Sequence, residues 1–242
     1  MPHGGPDWGR TSAVKTTFPM TDLGELAARL GSPITFDRRG DVIFFDSFED
    51  GLCRCLHSQS QGQTVINPFA QGARTGGFCA EITLPGGSGA SGSIAYYRPL
   101  PVLGRVGMEY SWSAEQDDRS IYCWLLFLIG TRYVTGRLGY NHDTGYVFYQ
   151  NSDGDDVNLA AQMVNRLQWV LWNTMKVVVD VDAEEYVRAI VNDVEYDMSG
   201  IALRAYTGAE QRRSLYLIET NAVEAVTRRF FVDDIIVTQN EP

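Results

Sequence analysis

From about residue 41 onward, apolar and polar positions alternate with a period of two. Successive side chains of an extended strand point to opposite faces, so this alternation marks strands with one face in a core. Val106, Met108, Tyr110 and Trp112 alternate with Arg105, Gly107, Glu109 and Ser111, and Met175, Val177, Val179 and Val181 with Lys176, Val178 and Asp180. Val187, Ala189 and Val191 lead into Asn192-Asp193, a two-residue hairpin turn, and the chain leaves through Val194 to Met198. Ile121 to Ile129 is apolar at nearly every position, which predicts a central strand covered on both sides. Similar runs near 42–48, 77–84, 92–98, 131–140, 145–150, 214–220 and 229–238 bring the number of short strands to about a dozen. Many strands and almost no helix predict two packed antiparallel sheets.

The first forty residues break this pattern. Residues 1–20 are rich in Gly, Pro and Thr, without periodicity, and read as an arm. Thr21 to Pro33 carries a short helix signal at about 21–31. Asp22 can cap it, Leu23, Leu26, Ala27 and Leu30 form one face, and Gly31 with Pro33 ends it. The expected organisation is therefore an arm with a short helix over 1–40 and a β-sandwich over 41–242. Three helical turns with a narrow apolar stripe are marginal alone. They are expected to dock on the body or to join copies into a homo-oligomer through residues 1–33.

Composition narrows the function. With 20 Lys+Arg against 30 Asp+Glu in 242 residues, the net charge is −10, a poor balance for phosphate contacts, so no nucleic acid is expected as partner. The longest apolar run is far short of the ~20 residues that span a membrane, and the first residues lack the basic and apolar regions of a secretory signal. These readings predict no membrane partner and a cytoplasmic or particle-associated location. Cys53, Cys55, Cys79 and Cys123 read as reduced thiols, the last two inside strand-like runs.

Several motifs reduce to turns. Gly87-Ser-Gly-Ala-Ser-Gly92 matches a dinucleotide fingerprint in letters only, because a strand follows it, and it reads as a hairpin loop. Asn151 to Asp156 and Asp180 to Glu184 lack the Gly and Glu of a calcium loop and read as solvated turns. His3, His57 and His142 have no second ligand at metal spacing.

Two acidic clusters sit at opposite ends of the β region: Phe45-Asp-Ser-Phe-Glu-Asp-Gly51 and Phe231-Val-Asp-Asp-Ile-Ile-Val237. By alternation, Asp233 shares its face with Phe231, Ile235 and Val237, and an inward carboxylate requires a partner. A first strand ending in Phe-Glu-Asp-Gly, a late Trp172 to Asp180 strand and a closing Val-Asp-Asp-Ile-Ile-Val strand resemble the concanavalin A-like lectin/glucanase jelly roll over roughly residues 41–239. That resemblance implies a jelly-roll β-sandwich, with a structural Ca²⁺ joining the first and last strands. By position Asp233 would be a side-chain ligand, with Glu49 and the backbone of Gly77 as companions. The resemblance also implies where glucanases of this fold keep their paired carboxylates. Neither Glu115-Gln-Asp117 nor Glu195-Tyr-Asp197 is followed by the second glutamate that the motif requires, so glucanase-type hydrolysis is not expected.

The resemblance therefore implies carbohydrate binding without catalysis, on a concave face where aromatic rings stack on sugars. Tyr110 and Trp112 belong to the core by alternation. Tyr122 and Trp124 occupy the other face of the central strand with Leu126 and Leu128, and Tyr97, Tyr133 and Arg137 can line its neighbours. The expected partner is an oligo- or polysaccharide. An assembly protein using the arm, or a polysaccharide lyase or hydrolase with an unrecognised site, are the alternatives.

Overall fold

The structure, a computed structural model, describes residues 39–60, 65–70, 72–85, 90–98, 103–115, 120–162, 171–207, 214–222 and 227–242. The expected arm and its helix lie outside the described residues. Strands are numbered in chain order, and every pairing is antiparallel. The first sheet runs β13 (Val194–Asp197), β12 (Glu185–Val191), β11 (Asn173–Asp180), β6 (Arg105–Ala114), β16 (Arg228–Gln239), β4 (Cys79–Leu84), β3 (Val65–Phe69), with β1 (Asp41–Asp46) also on β16. The second runs β10 (Asp156–Ala161), β9 (Tyr146–Gln150), β8 (Arg132–Asn141), β7 (Ser120–Ile129), β15 (Ser214–Ala222), β5 (Ala90–Arg98), β2 (Leu56–Ser60), with β14 (Arg204–Thr207) also on β8. This is the expected all-β sandwich of two antiparallel sheets.

The inward rows form one core. Val106, Met108, Tyr110 and Trp112 of β6 face Cys123, Leu125 and Phe127 of β7, all of them buried. Trp112 packs its ring 5.8 Å from Tyr110 and 6.4 Å from Tyr140, and Phe127 meets Tyr216 edge-on at 6.0 Å. Burying each such side chain contributes about 1.5–3 kcal/mol. All four cysteines are free thiols; Cys123 lies in the apolar core, whereas Cys79, also buried, lies beside Asp233 and Asp234 and donates to the Phe69 carbonyl at 3.6 Å.

The unexpected strands are at the margins. β2, β3 and β10 close the edges of the two sheets, and β14 lies off the main path. Edge strands pair on one side only and tolerate short, polar or proline-containing sequences, so Leu56–Ser60 and Val65–Phe69, with Pro68, show no alternation signal. The Gly87–Gly92 stretch is not a hairpin loop. It joins β4 in the first sheet to β5 in the second, and its last residues already belong to β5.

The closing strand also departs from simple alternation. Between Asp233 and Ile236 the register against β6 shifts, and Asp234 adopts φ +54°. One extra residue in a strand moves all later side chains to the opposite face. Phe231 and Asp233 therefore turn to the outside of the first sheet, whereas Ile235 and Val237 join Phe230 and Val232 in the core. The bulge, invisible to a period-two reading, separates Asp233 from Ile235 and Val237.

The outside of the first sheet is covered as well, by polar groups. The C-terminal Glu241 folds back over β6 and β11, accepts from Lys176 Nζ at 2.7 Å and from Thr238 Oγ1 at 2.5 Å, and pairs with Arg188. Arg188 also donates to the Pro242 carbonyl at 2.8 Å. Lys176, Arg188 and Glu241 are all buried, and a buried charge left alone costs several kcal/mol. Glu241→Gln should thus destabilise the fold by about 3–5 kcal/mol. A urea-denaturation midpoint unchanged by the substitution would contradict this account.

Candidate functional site

The strand β7 divides its residues cleanly. Ile121, Cys123, Leu125 and Phe127 enter the core, and Tyr122, Trp124, Leu126 and Leu128 form the outer row. That row is half-buried except for Tyr122, which is buried, so the strand is central but its outer face is not sealed by the described residues. Cross-strand pairing extends each position into a line across the sheet. Trp124 lies opposite Arg137 on one side and Leu217, Ala95 and Leu56 on the other. Tyr122 lies between Gly139 and Glu219. Leu126 lies between Thr135 and Leu215, with Tyr97 beyond, and Leu128 lies opposite Tyr133, with Tyr206 beyond. All five residues expected to contact a ligand, Tyr97, Tyr122, Trp124, Tyr133 and Arg137, thus share the outer face of the second sheet.

At the centre of this face the Arg137 guanidinium is surrounded by rings. Its carbon lies 5.1 Å from the centroid of Tyr122, 5.7 Å from Trp124 and 5.9 Å from Phe148, within the range of cation–π attraction. Phe148 reaches this place because Gly139 has no side chain; a Cβ there would collide with the Phe148 ring and with Tyr122. Arg137 also pairs with Asp156 across the edge of the sheet. Glu219 is the one carboxylate in the interior of the face. Burial pushes its carboxyl above the usual range, while hydrogen bonds from Tyr122 and Ser91 and the Arg137 charge pull it back. Tyr122 is in turn held in its neutral form, first by burial and then by Glu219.

A core residue positions this group. Beyond the last β8–β9 pair, Leu138 with Tyr149, the Tyr186 hydroxyl reaches across from the first sheet. It accepts the Arg137 N–H at 2.9 Å and donates to the Gln150 carbonyl at 2.9 Å, in place of the next ladder bonds. Arg137 and Gln150 are held side by side in this way. Three polar atoms in this line lie beneath the surface with no hydrogen-bond partner among the described residues: Trp124 Nε1, Arg137 Nε and Gln150 Oε1. Unmet groups of this kind cost about 1–3 kcal/mol each, and such residues are candidates for meeting a ligand. Glu219, Phe148, Gln150 and Asp156 did not emerge from the sequence. Glu219 had a visible signal, as the sole charged residue of the apolar β15, whereas the others depend on the register of β8, β9 and β10.

The residues expected to hold a cation lie apart from this face. Asp233 Oδ2 accepts the backbone N–H groups of Arg74 at 2.8 Å and Thr75 at 3.3 Å. Glu49 Oε1 accepts those of Gly77 at 2.8 Å and Phe78 at 3.0 Å, so Gly77 offers its N–H to the cluster. Asp234, passed over by alternation, accepts from Thr75 Oγ1 at 2.5 Å, and its Oδ2 is buried without a hydrogen-bond partner, 3.7 Å from Arg74. No three His, Cys, Asp or Glu side chains among the described residues converge on one point. Burial raises the carboxyls of both Asp233 and Asp234. The charge of Asp234 adds to the rise at Asp233, and that of Glu49 to the rise at Asp234.

No protein-family model matches the sequence, and no curated protein matches it. Solved structures do. An endo-β-1,4-glucuronan lyase from the fungus Trichoderma reesei superposes with a TM-score of 0.56 at 7% identity, covering 82% of this chain and 96% of the lyase. The carbohydrate recognition domain of Emp46p gives 0.49 at 10% identity over 80% of this chain and 92% of that one. TmCBM61, solved with β-1,4-galactotriose, gives 0.43 at 12% identity over 80% and 94%. The likeness to the lyase shows a shared fold, the β-sandwich of two antiparallel sheets. At these identities the likeness extends to architecture and no further. Among the described residues, no helix is long and apolar enough to cross a membrane.

The acidic pair makes a prediction of definite sign. Both carboxyls bind protons more readily in the folded chain than at the ordinary aspartate value of 3.8. Their contribution to stability is therefore full at or below pH ~4 and is lost as pH rises towards neutrality. Between pH 5 and pH 8, in the presence of chelator, the urea midpoint of the native protein should fall more than that of Asp234→Asn. Equal slopes for the two proteins would refute the assignment.

Proposed function

We propose that the protein binds carbohydrate, without catalysis, on the outer face of the second sheet. The observation that carries this reading is the line Trp124, Arg137 and Gln150. An aromatic ring stands beside two hydrogen-bond donors and one acceptor that have no partner among the described residues. Sugars present apolar C–H faces to rings and hydroxyls to such groups. Exposed Tyr97, Tyr146 and Tyr206 lie further out on the same face and supply additional platforms. Neither described histidine joins them. His57 pairs with the core-facing Ile94, and His142 packs against Tyr140 and Phe230. The one interior carboxylate, Glu219, lies on Tyr122, and Asp156 is paired with Arg137. Binding is thus better supported than acid–base cleavage by two carboxylates.

A screen of soluble polysaccharides and a glycan array tests this reading. Trp124→Ala and Arg137→Ala should each weaken binding at least tenfold while leaving the melting temperature within a few degrees. Binding that survives both substitutions would place the site elsewhere.

We also propose that a structural Ca²⁺ belongs at the Asp233–Asp234 pair. Asp234 Oδ2, with its unmet capacity, and the neighbouring Asp233 are the side-chain oxygens suited to hold it, with backbone oxygens completing the set. Its charge would offset the repulsion of two adjacent buried carboxylates. A cation bound only by the folded state stabilises by mass action, so the melting temperature should drop by several degrees on chelation and recover with added Ca²⁺. Identical melting with and without chelator would dismiss the ion.

A further inference from the structure

The chemistry of the same face selects among glycans, an inference that rests on the carbohydrate-binding reading. Its interior offers hydrogen-bond acceptors as well as donors. Gln150 is 3% exposed, and its amide nitrogen donates to the Gly154 carbonyl at 3.1 Å, which leaves Oε1 as an acceptor with nothing to accept from. Glu219 adds a second acceptor in the neighbouring row. A hydroxyl can donate to these groups and also accept from Trp124 Nε1 and Arg137 Nε, whereas an ionised carboxylate only accepts.

Charge points the same way. Arg137 is the cation nearest Trp124, and both Asp156 and Glu219 act on it. Those three groups sum to one negative charge, so a second anion would enter against the local field. Arg204, the other cation of this face, stands at its rim over Tyr206, with its guanidinium carbon 5.2 Å from the ring centroid.

We infer that the face accepts neutral, hydroxyl-rich polysaccharide and rejects polymers of uronic acids. The three unpartnered atoms lie just beneath the surface, so ligand entry requires one side chain to move. The Asp156 side chain is 50% exposed and that of Arg137 15%, and an ion pair whose carboxylate stands in water contributes only about 0–1 kcal/mol. Release of Arg137 from Asp156 is the inexpensive step that uncovers the line.

Affinity electrophoresis and calorimetry of the full chain test the inference, with cellohexaose, β-1,4-galactan and glucuronan as probes at low and high NaCl. The expected result is binding of at least one neutral probe, at least tenfold tighter than glucuronan and little changed by salt. Gln150→Leu should lose about tenfold on that neutral probe without a change in melting temperature. Glucuronan bound as tightly as the neutral probes, or more so, in a salt-sensitive manner lost in Arg204→Ala, would overturn the selectivity and leave carbohydrate binding intact. Neutral binding unaffected by Gln150→Leu would overturn the role of the unmet acceptor. Absence of binding to all three, with an empty polysaccharide screen, would remove the carbohydrate reading and the inference together.

Discussion

One extra residue in the closing strand organises the first sheet. Before the bulge at Asp234, β16 pairs with β4; after it, β16 pairs with β1, and β6 flanks it throughout. A strand that changes partners along its length needs a local increase in twist, which a bulge supplies. The same residue turns Asp233 outward, brings Ile235 and Val237 into the core, and places two adjacent carboxylates under the 74–78 segment. Backbone N–H groups then satisfy what alternation would have left as an unpaired inward charge. The fold joins its first and last strands at the place where its most strained electrostatics lie.

The second sheet is built differently. Its inner face is apolar, and its outer face grades from small polar residues near Ser91 and Ser120, through the Tyr122, Arg137 and Glu219 cluster, to half-exposed Leu126 and Leu128. What connects this face to the core is the Tyr186 hydroxyl, which belongs to the first sheet but hydrogen-bonds the backbone of β8 and β9. A face assembled from four strands is only as well defined as their register. The Tyr186 tie, the packing of Phe148 over Gly139 and the Arg137 stack hold that register where the ladder between β8 and β9 gives out.

The two faces also divide the charge economically. On the first sheet, Lys176, Arg188 and Glu241 form a buried set beneath the C-terminus in which both Glu241 oxygens are paired, while Asp234 Oδ2 has no hydrogen-bond partner among the described residues. On the second, the Asp156 end of the Arg137 ion pair is half open to water, and three polar atoms have no hydrogen-bond partner among the described residues. Satisfied networks rigidify, whereas unmet ones are the sites where another molecule can lower the free energy.

The amino-acid sequence by itself determined the class of the fold, because the period-two alternation of β6, β11 and β12 is a property of each strand alone. It also determined that Tyr110 and Trp112 are internal, and it singled out the five residues that the second sheet brings together, since Tyr122 and Trp124 lie on the outer row of β7 whichever strands flank it. Pairing between distant segments decided the rest. The edge strands β2, β3 and β10 carry too little apolar periodicity to announce themselves, and Glu219, Gln150, Phe148 and Asp156 acquire meaning only through registers set by strands far away in the chain. The face of Asp233 was undecidable for the same reason. A bulge adds one residue without changing the local composition, so alternation reads straight through it, and only the pairing with β6 and β1 shows where the strand turns over.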